Sequence, residues 1–368
     1  MDQDKQEFLK LDNLHIRRSD IDRPNKTTNF IISAREAGKS TVVACDFIHA
    51  NFKKGLVTPL ILRRKVQLTE EYIGDVVSTI NKFCLSEKDP NPYIPFFSKL
   101  SLKQGVCNVY LGKKKNGSDK RLAIRLIALS CDENTLKHQH LKNVGPIVFD
   151  EWTINPAKGE KYLNNETWTF KVLYGTLVRE SPNLKRYFFG NPYSVYNPYF
   201  LDLDVDSRKI REGARLFGPD WQLWAYPLKP ELVAKIKASN PDYRFDDSYS
   251  RFAVGGIAVN DQNIIITPVQ PQYYYLQMCF LIHNKVVGVF KNPSPFNGNY
   301  FWARIMPDGY HDRISYCFDF QNLVNNAVMY DTGSKYSAKA LKKAIGLNKV
   351  GFQNIEVAYF MQEIYTYL

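Results

Sequence analysis

The feature that most constrains this chain is an apolar run that breaks at a glycine-lysine-serine turn and resumes as a helical pattern. Residues 29–33 are compact and apolar, and the loop after them reads Ser33-Ala34-Arg35-Glu36-Ala37-Gly38-Lys39-Ser40-Thr41. From Ser40 onward Val43, Phe47 and Phe52 recur at helical spacing, and the pattern stops before Gly55. Strand, loop and helix in that order make an anion cradle. Backbone N–H groups turn inward, a lysine reaches the β- and γ-phosphates, a hydroxyl ligates Mg²⁺, and the helix N-terminus faces the negative charge. Gly38 permits the close approach, Lys39 brings the charge and Ser40 the hydroxyl. One departure from G-x-x-x-x-G-K-[ST] is plain: Ser33 stands where the first glycine should be.

A second motif, Pro146-Ile147-Val148-Phe149-Asp150-Glu151, lies about a hundred residues downstream. An apolar strand tipped by an aspartate holds Mg²⁺ through its water shell, and Glu151 is placed to orient or deprotonate the attacking water. Asn191 ends the apolar run 186–190, where a polar side chain senses the γ-phosphate or the water. Arg179, on the helix or turn before that run, is a candidate arginine finger. Alone, each has a plainer reading as a solvated strand end, a cap or a surface residue. Together with Lys39 they describe one site for a nucleotide and Mg²⁺. The stretch Asn348-Lys349-Val350-Gly351 lacks the aspartate that reads guanine, so ATP is expected rather than GTP.

At 368 residues the chain is longer than one core sustains comfortably. Alternating strands and helices predict an α/β domain with a mostly parallel sheet over residues 1–226. Residues 227–249, with prolines bracketing a short helix at 231–238, read as a linker. Residues 250–368 read as a smaller α+β domain. Its strands are expected near 263–267, 274–282, 285–290, 300–306 and 313–320, and its helices near 337–345 and 353–366. Strand-like runs at 106–111 and 121–129 flank an Asn-Gly pair, a hairpin signal. Lys113, Lys114, Lys115, Lys120 and Arg121 crowd that tip and are the candidate phosphate-gripping residues.

Charge agrees with a polyanionic partner. The chain holds 49 Lys+Arg against 37 Asp+Glu, a formal net charge of +12. Residues 250–368 carry ten basic and seven acidic residues, so nine of the twelve excess charges fall in residues 1–249. Six cysteines are scattered with no C-x-x-C pair, as suits buried thiols in a reducing cytoplasm. His138, His140 and Cys131 lack a fourth ligand at zinc spacing. No apolar run reaches the roughly 20 residues of a membrane helix, and the start has no secretory pattern, so no membrane association is expected.

Val148-Phe149-Asp150-Glu151, Arg179 and the run Asn191-Pro192-Tyr193-Ser194-Val195-Tyr196-Asn197-Pro198-Tyr199-Phe200-Leu201 resemble the genome-packaging ATPases of small φ29-type tailed phages, relatives of the large terminases. The resemblance takes in Ala34-Arg35, Gly38-Lys39-Ser40 and Leu62-Arg63-Arg64 and covers most of the first 200 residues. It implies a P-loop NTPase of the ASCE type, with an extra strand between its two Walker strands, followed by an RNase-H-like domain. It also implies a homo-oligomeric ring, typically a pentamer, on the capsid portal (connector), with a packaging RNA in some members. Such a ring drives double-stranded DNA into a procapsid in the host cytoplasm. Carried over by position, residues 33–41 hold the nucleotide, Ser40 and Asp150 the metal, Glu151 is the catalytic carboxylate, Arg179 the finger and Asn191 the sensor.

A nuclease needs clustered carboxylates for two metal ions. The acids after residue 300 are few: Asp308, Asp312, Asp319, Asp331, Glu356 and Glu363. The second domain is therefore expected to be a nuclease-like fold without the activity, adapted to hold nucleic acid or the portal. The rival readings are a terminase-type motor with a working nuclease, and a nucleotide-gated scaffold that binds nucleic acid or portal without sustained turnover.

Overall fold

The computed structural model describes residues 14–85, 90–98, 105–155, 160, 162–163, 165–181, 183–193, 197–203, 205, 210, 212–244, 265–282, 284–294, 300–310, 315–318, 327–330, 332–346 and 349–368. These fall into two compact units, residues 1–195 with 199–259 and residues 196–198 with 260–368.

The first unit is built on a nine-stranded, mostly parallel sheet. Its strands are β1 (Thr28–Ser33), β2 (Thr58–Leu62), β3 (Ile94–Phe97), β4 (Val106–Gly112), β5 (Arg121–Ala128), β6 (Ile147–Asp150), β7 (Arg186–Gly190), β8 (Arg215–Phe217) and β9 (Trp221–Tyr226), in the order β3-β4-β5-β2-β6-β7-β1-β9-β8. The run from β5 to β9 pairs parallel throughout, while β3, β4 and β8 add antiparallel edges. Strands covered on both faces need apolar residues at every position. β1 and β2 are buried along their whole lengths, and β6 is buried up to Asp150. The strand β7 lies between the loop-bearing β1 and the acid-tipped β6.

Aromatic rings lock this centre. Phe30 of β1 stacks on Phe188 of β7 at 4.4 Å, and Trp152, Phe149, Phe170, Tyr199 and Phe200 close around them. Offset and edge-on ring pairs each contribute about 0.5–1.5 kcal/mol beyond burial.

Several elements differ from the sequence expectation. The helix after the loop runs as Lys39–Val42, Val43–His49 and Ala50–Lys53, and its middle segment is π-helical. Helix Glu70–Phe83 was not anticipated, although Tyr72, Ile73, Val76, Val77 and Ile80 carry the 3.6 period on its inner face. The edge strand β3 and the pair β8–β9 were also unforeseen. The hairpin β4–β5 forms, but Asn116-Gly117 is not a two-residue turn. Asp119 instead accepts the backbone N–H groups of Lys113 and Lys114 (2.9 and 3.1 Å) within a longer loop, with Gly117 at φ 68°. Helix Pro230–Ser239, expected within the linker 227–249, packs Leu232 and Ile236 into the core of the first unit, joined by Tyr243. Burial of those apolar side chains overrides the proline punctuation that suggested a linker.

The second unit carries a seven-stranded sheet in the order β10-β16-β13-β12-β11-β14-β15. These are β10 (Ile265–Ile266), β11 (Tyr275–Ile282), β12 (Lys285–Lys291), β13 (Phe301–Ile305), β14 (Ser315–Cys317), β15 (Ala327–Met329) and β16 (Val350–Phe352). Helices Thr332–Gly346 and Ile355–Tyr367 contribute Leu341, Val357, Met361 and Ile364 to its core. The expected strand positions hold where they are described. β15 and β16 are short runs that the sequence reading passed over. Asp312, Asp319 and Asp331 lie outside the described residues.

Candidate nucleotide site

Parallel register brings three strand ends together. Ile32 of β1 lies opposite Gly190 of β7, and Phe189 of β7 opposite Asp150 of β6. The loop after Ser33, the acids at 150–151 and Asn191 therefore share the carboxyl edge of the sheet, where open α/β sheets bind ligands.

The loop itself is tightly determined. Gly38 has φ 84°, a left-handed conformation that side chains disfavour. A Cβ there would also stand 2.8 Å from the His15 ring. Ala34 and Ala37 are buried, whereas Arg35, Glu36 and Ser40 are exposed and Thr41 is partly so. Lys39 is buried, its Nζ donating to Ser33 O (3.0 Å), Ser33 Oγ (3.1 Å) and Ala34 O (2.7 Å). The serine in place of glycine thus becomes an oxygen ligand for the lysine. Burial lowers the Lys39 pKa to about 7, against the opposing pull of Asp150, Glu36 and Glu151.

Asp150 has a donor on each oxygen: Tyr72 Oη on Oδ2 (2.9 Å) and the Glu151 N–H on Oδ1 (3.1 Å). Burial raises its pKa, while the Tyr72 hydrogen bond and then the Lys39 charge oppose the rise. Glu151 has φ 55°, a left-handed backbone at a non-glycine residue, and such strain costs on the order of 1–3 kcal/mol. Its carboxyl reaches solvent, yet its partial burial, and next the Asp150 charge, hold its pKa above the ordinary value. A carboxylate shifted upward in this way takes up a proton more readily than an ordinary one.

Arg63 maintains that backbone. Its guanidinium donates to Glu151 O (3.1 Å), to Trp152 O, and through Nε to Glu166 Oε2 (2.8 Å). Glu166, fully buried, also accepts from Leu163 N (2.8 Å) and from the Tyr199 hydroxyl (3.2 Å). The structure therefore gives Arg63 an internal ion pair. It also explains part of the Asn-Pro-Tyr-Phe-Leu run, whose tyrosine steadies Glu166.

Asn191 is buried with its N–H on Thr153 Oγ1 (3.0 Å) and its Nδ2 on Tyr193 Oη (3.4 Å), while its Oδ1 has no partner. Gly190 before it admits no side chain, since a Cβ would lie 2.6 Å from Trp152 Nε1. Arg179 is exposed on the turn Val178–Glu180, and no hydrogen bond or ion pair joins it to Lys39, Asp150 or Glu151 in this chain.

The hairpin cations are only partly free for a ligand. Lys113, half-buried, lies over Tyr93; Lys120 and Arg121 are exposed but lie over Phe96 and Tyr110 and over Phe52, and Lys114 and Lys115 are exposed as well. Sequence reading missed Tyr72, Glu166, Thr153 and His15. Only Tyr72 had a signal, as the outset of an amphipathic helix. The donor set of Ser40 and Asp150, hard oxygens beside a buried lysine, fits Mg²⁺. No helix among the described residues is long and apolar enough to cross a membrane.

No family model matches the chain. Over 179 residues it is 28% identical to the DNA packaging proteins of Bacillus phages PZA and phi29, a match covering 48% of this chain and 46% of each of them. The matched segment thus spans about half the length of these curated relatives. Two solved structures share the fold across nearly the whole chain. The Phi-28 DNA packaging motor has a TM-score of 0.58 at 16% identity, covering 96% of this chain and 97% of that one. The bacteriophage Phi-29 viral genome packaging motor assembly has a TM-score of 0.58 at 17% identity, covering 96% and 99%.

Proposed function

We propose that this chain, similar in sequence to phage DNA packaging proteins, is an ATPase that drives double-stranded DNA into a preformed viral capsid. The observation that carries the reading is the convergence of Lys39, Ser40, Asp150, Glu151 and Asn191 on one sheet edge, with β7 between the strands bearing the loop and the acids. Residues 33–41 cradle the triphosphate. Lys39 exchanges its carbonyl ligands for phosphate oxygens, and Ser40 and Asp150 hold Mg²⁺, which when bound neutralises charge on the phosphates. Glu151 takes the proton from the attacking water, and Asn191 offers its unpartnered oxygen to that water. Arg179 stabilises the transferring phosphoryl group of a neighbouring subunit, a role its exposed side chain supports. A homo-oligomeric ring, a pentamer by analogy, follows from that role. In the infected cell it works in the host cytoplasm, transiently docked on the procapsid portal, with or without a packaging RNA.

Lys114 and Lys115 at the hairpin tip, backed by Lys113, Lys120 and Arg121, grip phosphates without reading sequence. The second unit is read as RNase-H-like without nuclease activity. Supporting this is its antiparallel run β13-β12-β11 extended by parallel β14 and β15, together with a central strand β11 that carries no carboxylate. The first test is steady-state ATP hydrolysis with and without double-stranded DNA. Stimulation that is absent in Lys39→Ala is expected. Turnover indifferent to DNA, with procapsids present, would favour a nucleotide-gated scaffold, and Mg²⁺- or Mn²⁺-dependent DNA cutting would favour a terminase-type motor.

A further inference from the structure

We infer that Tyr72 is a positioning residue for the Asp150 carboxylate, holding it in the orientation in which it binds Mg²⁺. The inference rests on the ATPase reading above. A carboxylate has a broad, nearly two-fold terminal torsion, so an isolated Asp150 would sample many orientations. Here each oxygen has its own donor, the Glu151 N–H on Oδ1 and the Tyr72 hydroxyl on Oδ2. The phenol is itself fixed. Tyr72 sits in the first turn of helix Glu70–Phe83, where its N–H donates to the Oγ1 of the N-cap Thr69 (3.1 Å).

The choice of donor matters. A lysine or arginine in the same place would neutralise the aspartate and compete with a metal for it. A neutral phenol orients the carboxylate and leaves its charge available. The same stretch of chain also delivers Arg63, which holds the backbone carbonyls of Glu151 and Trp152. Residues 63–72 therefore fix both acids, one through its backbone and the other through its side chain.

The test is a MgCl₂ titration of the full chain with a fluorescent ADP analogue (mant-ADP), comparing the parent with Tyr72→Phe. Loss of one hydrogen bond to a charged group should raise the Mg²⁺ midpoint by about tenfold. Binding of mant-ADP in excess EDTA should not change. In an Asp150→Asn background, Tyr72→Phe should add no further shift, because the group it positions is gone. An Mg²⁺ midpoint within twofold of the parent would overturn the inference, as would an equal loss of binding in EDTA. A parent whose mant-ADP binding ignores Mg²⁺ would overturn the ATPase reading itself, and that result is visible before any substitution is made.

Discussion

Lys39 shows how a single side chain is held ready by opposing forces. Burial favours its neutral form and three carboxylates favour its charged form, and the balance leaves the pKa at about 7. The phosphate-binding role proposed for Lys39 needs the ammonium. Below pH 7 the free protein already carries that charge, while above pH 7 binding must take up a proton. Nucleotide affinity should therefore fall as pH rises from about 7 to 9, by at most about tenfold per unit. Isothermal titration in buffers of different ionisation enthalpy should register the proton uptake directly. Glu151 provides the second residue-scale prediction. If Glu151 is the general base proposed above, its loss lowers turnover by about 10²–10⁴-fold, so Glu151→Gln should abolish measurable hydrolysis while ATP still binds. Equal turnover in the two proteins would move the base elsewhere.

At the scale of elements, the turn after β6 is held in its left-handed backbone by a charged pair from two distant segments. Arg63 directly follows β2, and Glu166 opens the helix Glu166–Leu177. Both side chains are nearly or fully buried, at 6% and 0% exposure, so removing one leaves an uncompensated charge. Breaking such a pair costs about 3–5 kcal/mol, and Glu166→Gln or Arg63→Ala should lower the denaturation midpoint accordingly. Chemical unfolding followed by circular dichroism would measure it. The two substitutions should be strongly non-additive when combined, because they share one interaction. Little of this was legible in the sequence, where Arg63 stood out only as part of the Leu62-Arg63-Arg64 run. The glutamate lies 103 positions away with no motif to mark it.

For the whole molecule, the exposed position of Arg179 has a consequence that mixing can test. If Arg179 serves a neighbouring subunit's nucleotide, Arg179→Ala and Glu151→Gln proteins should each be inactive alone. Assembled together, they should recover part of the turnover at interfaces that pair an intact Glu151 with an intact Arg179. An assembly that stays inactive would place the finger's role within its own chain or remove it. Charge works at the same scale: each hairpin lysine that neutralises a phosphate adds about 0.9 to the log–log salt slope of binding. Lys114→Ala with Lys115→Ala should flatten that slope by nearly two.

The local motifs were determined by the sequence alone, because backbone geometry and chemistry within a few residues set them. Gly38 must be glycine for its φ of 84°, apolar β1 and β6 must be buried strands, and Lys39 and Asp150 stand at their ends. Most strands and helices followed from the same short-range periodicity. Only the tertiary structure decided which strand lies between which. It also placed helix Pro230–Ser239 in the first core, and brought Tyr72, Glu166 and Tyr199 to the acids. These are contacts between residues far apart in the chain, chosen by the packing of aromatic rings and the pairing of buried charges. Neither leaves a periodic trace in the order of residues.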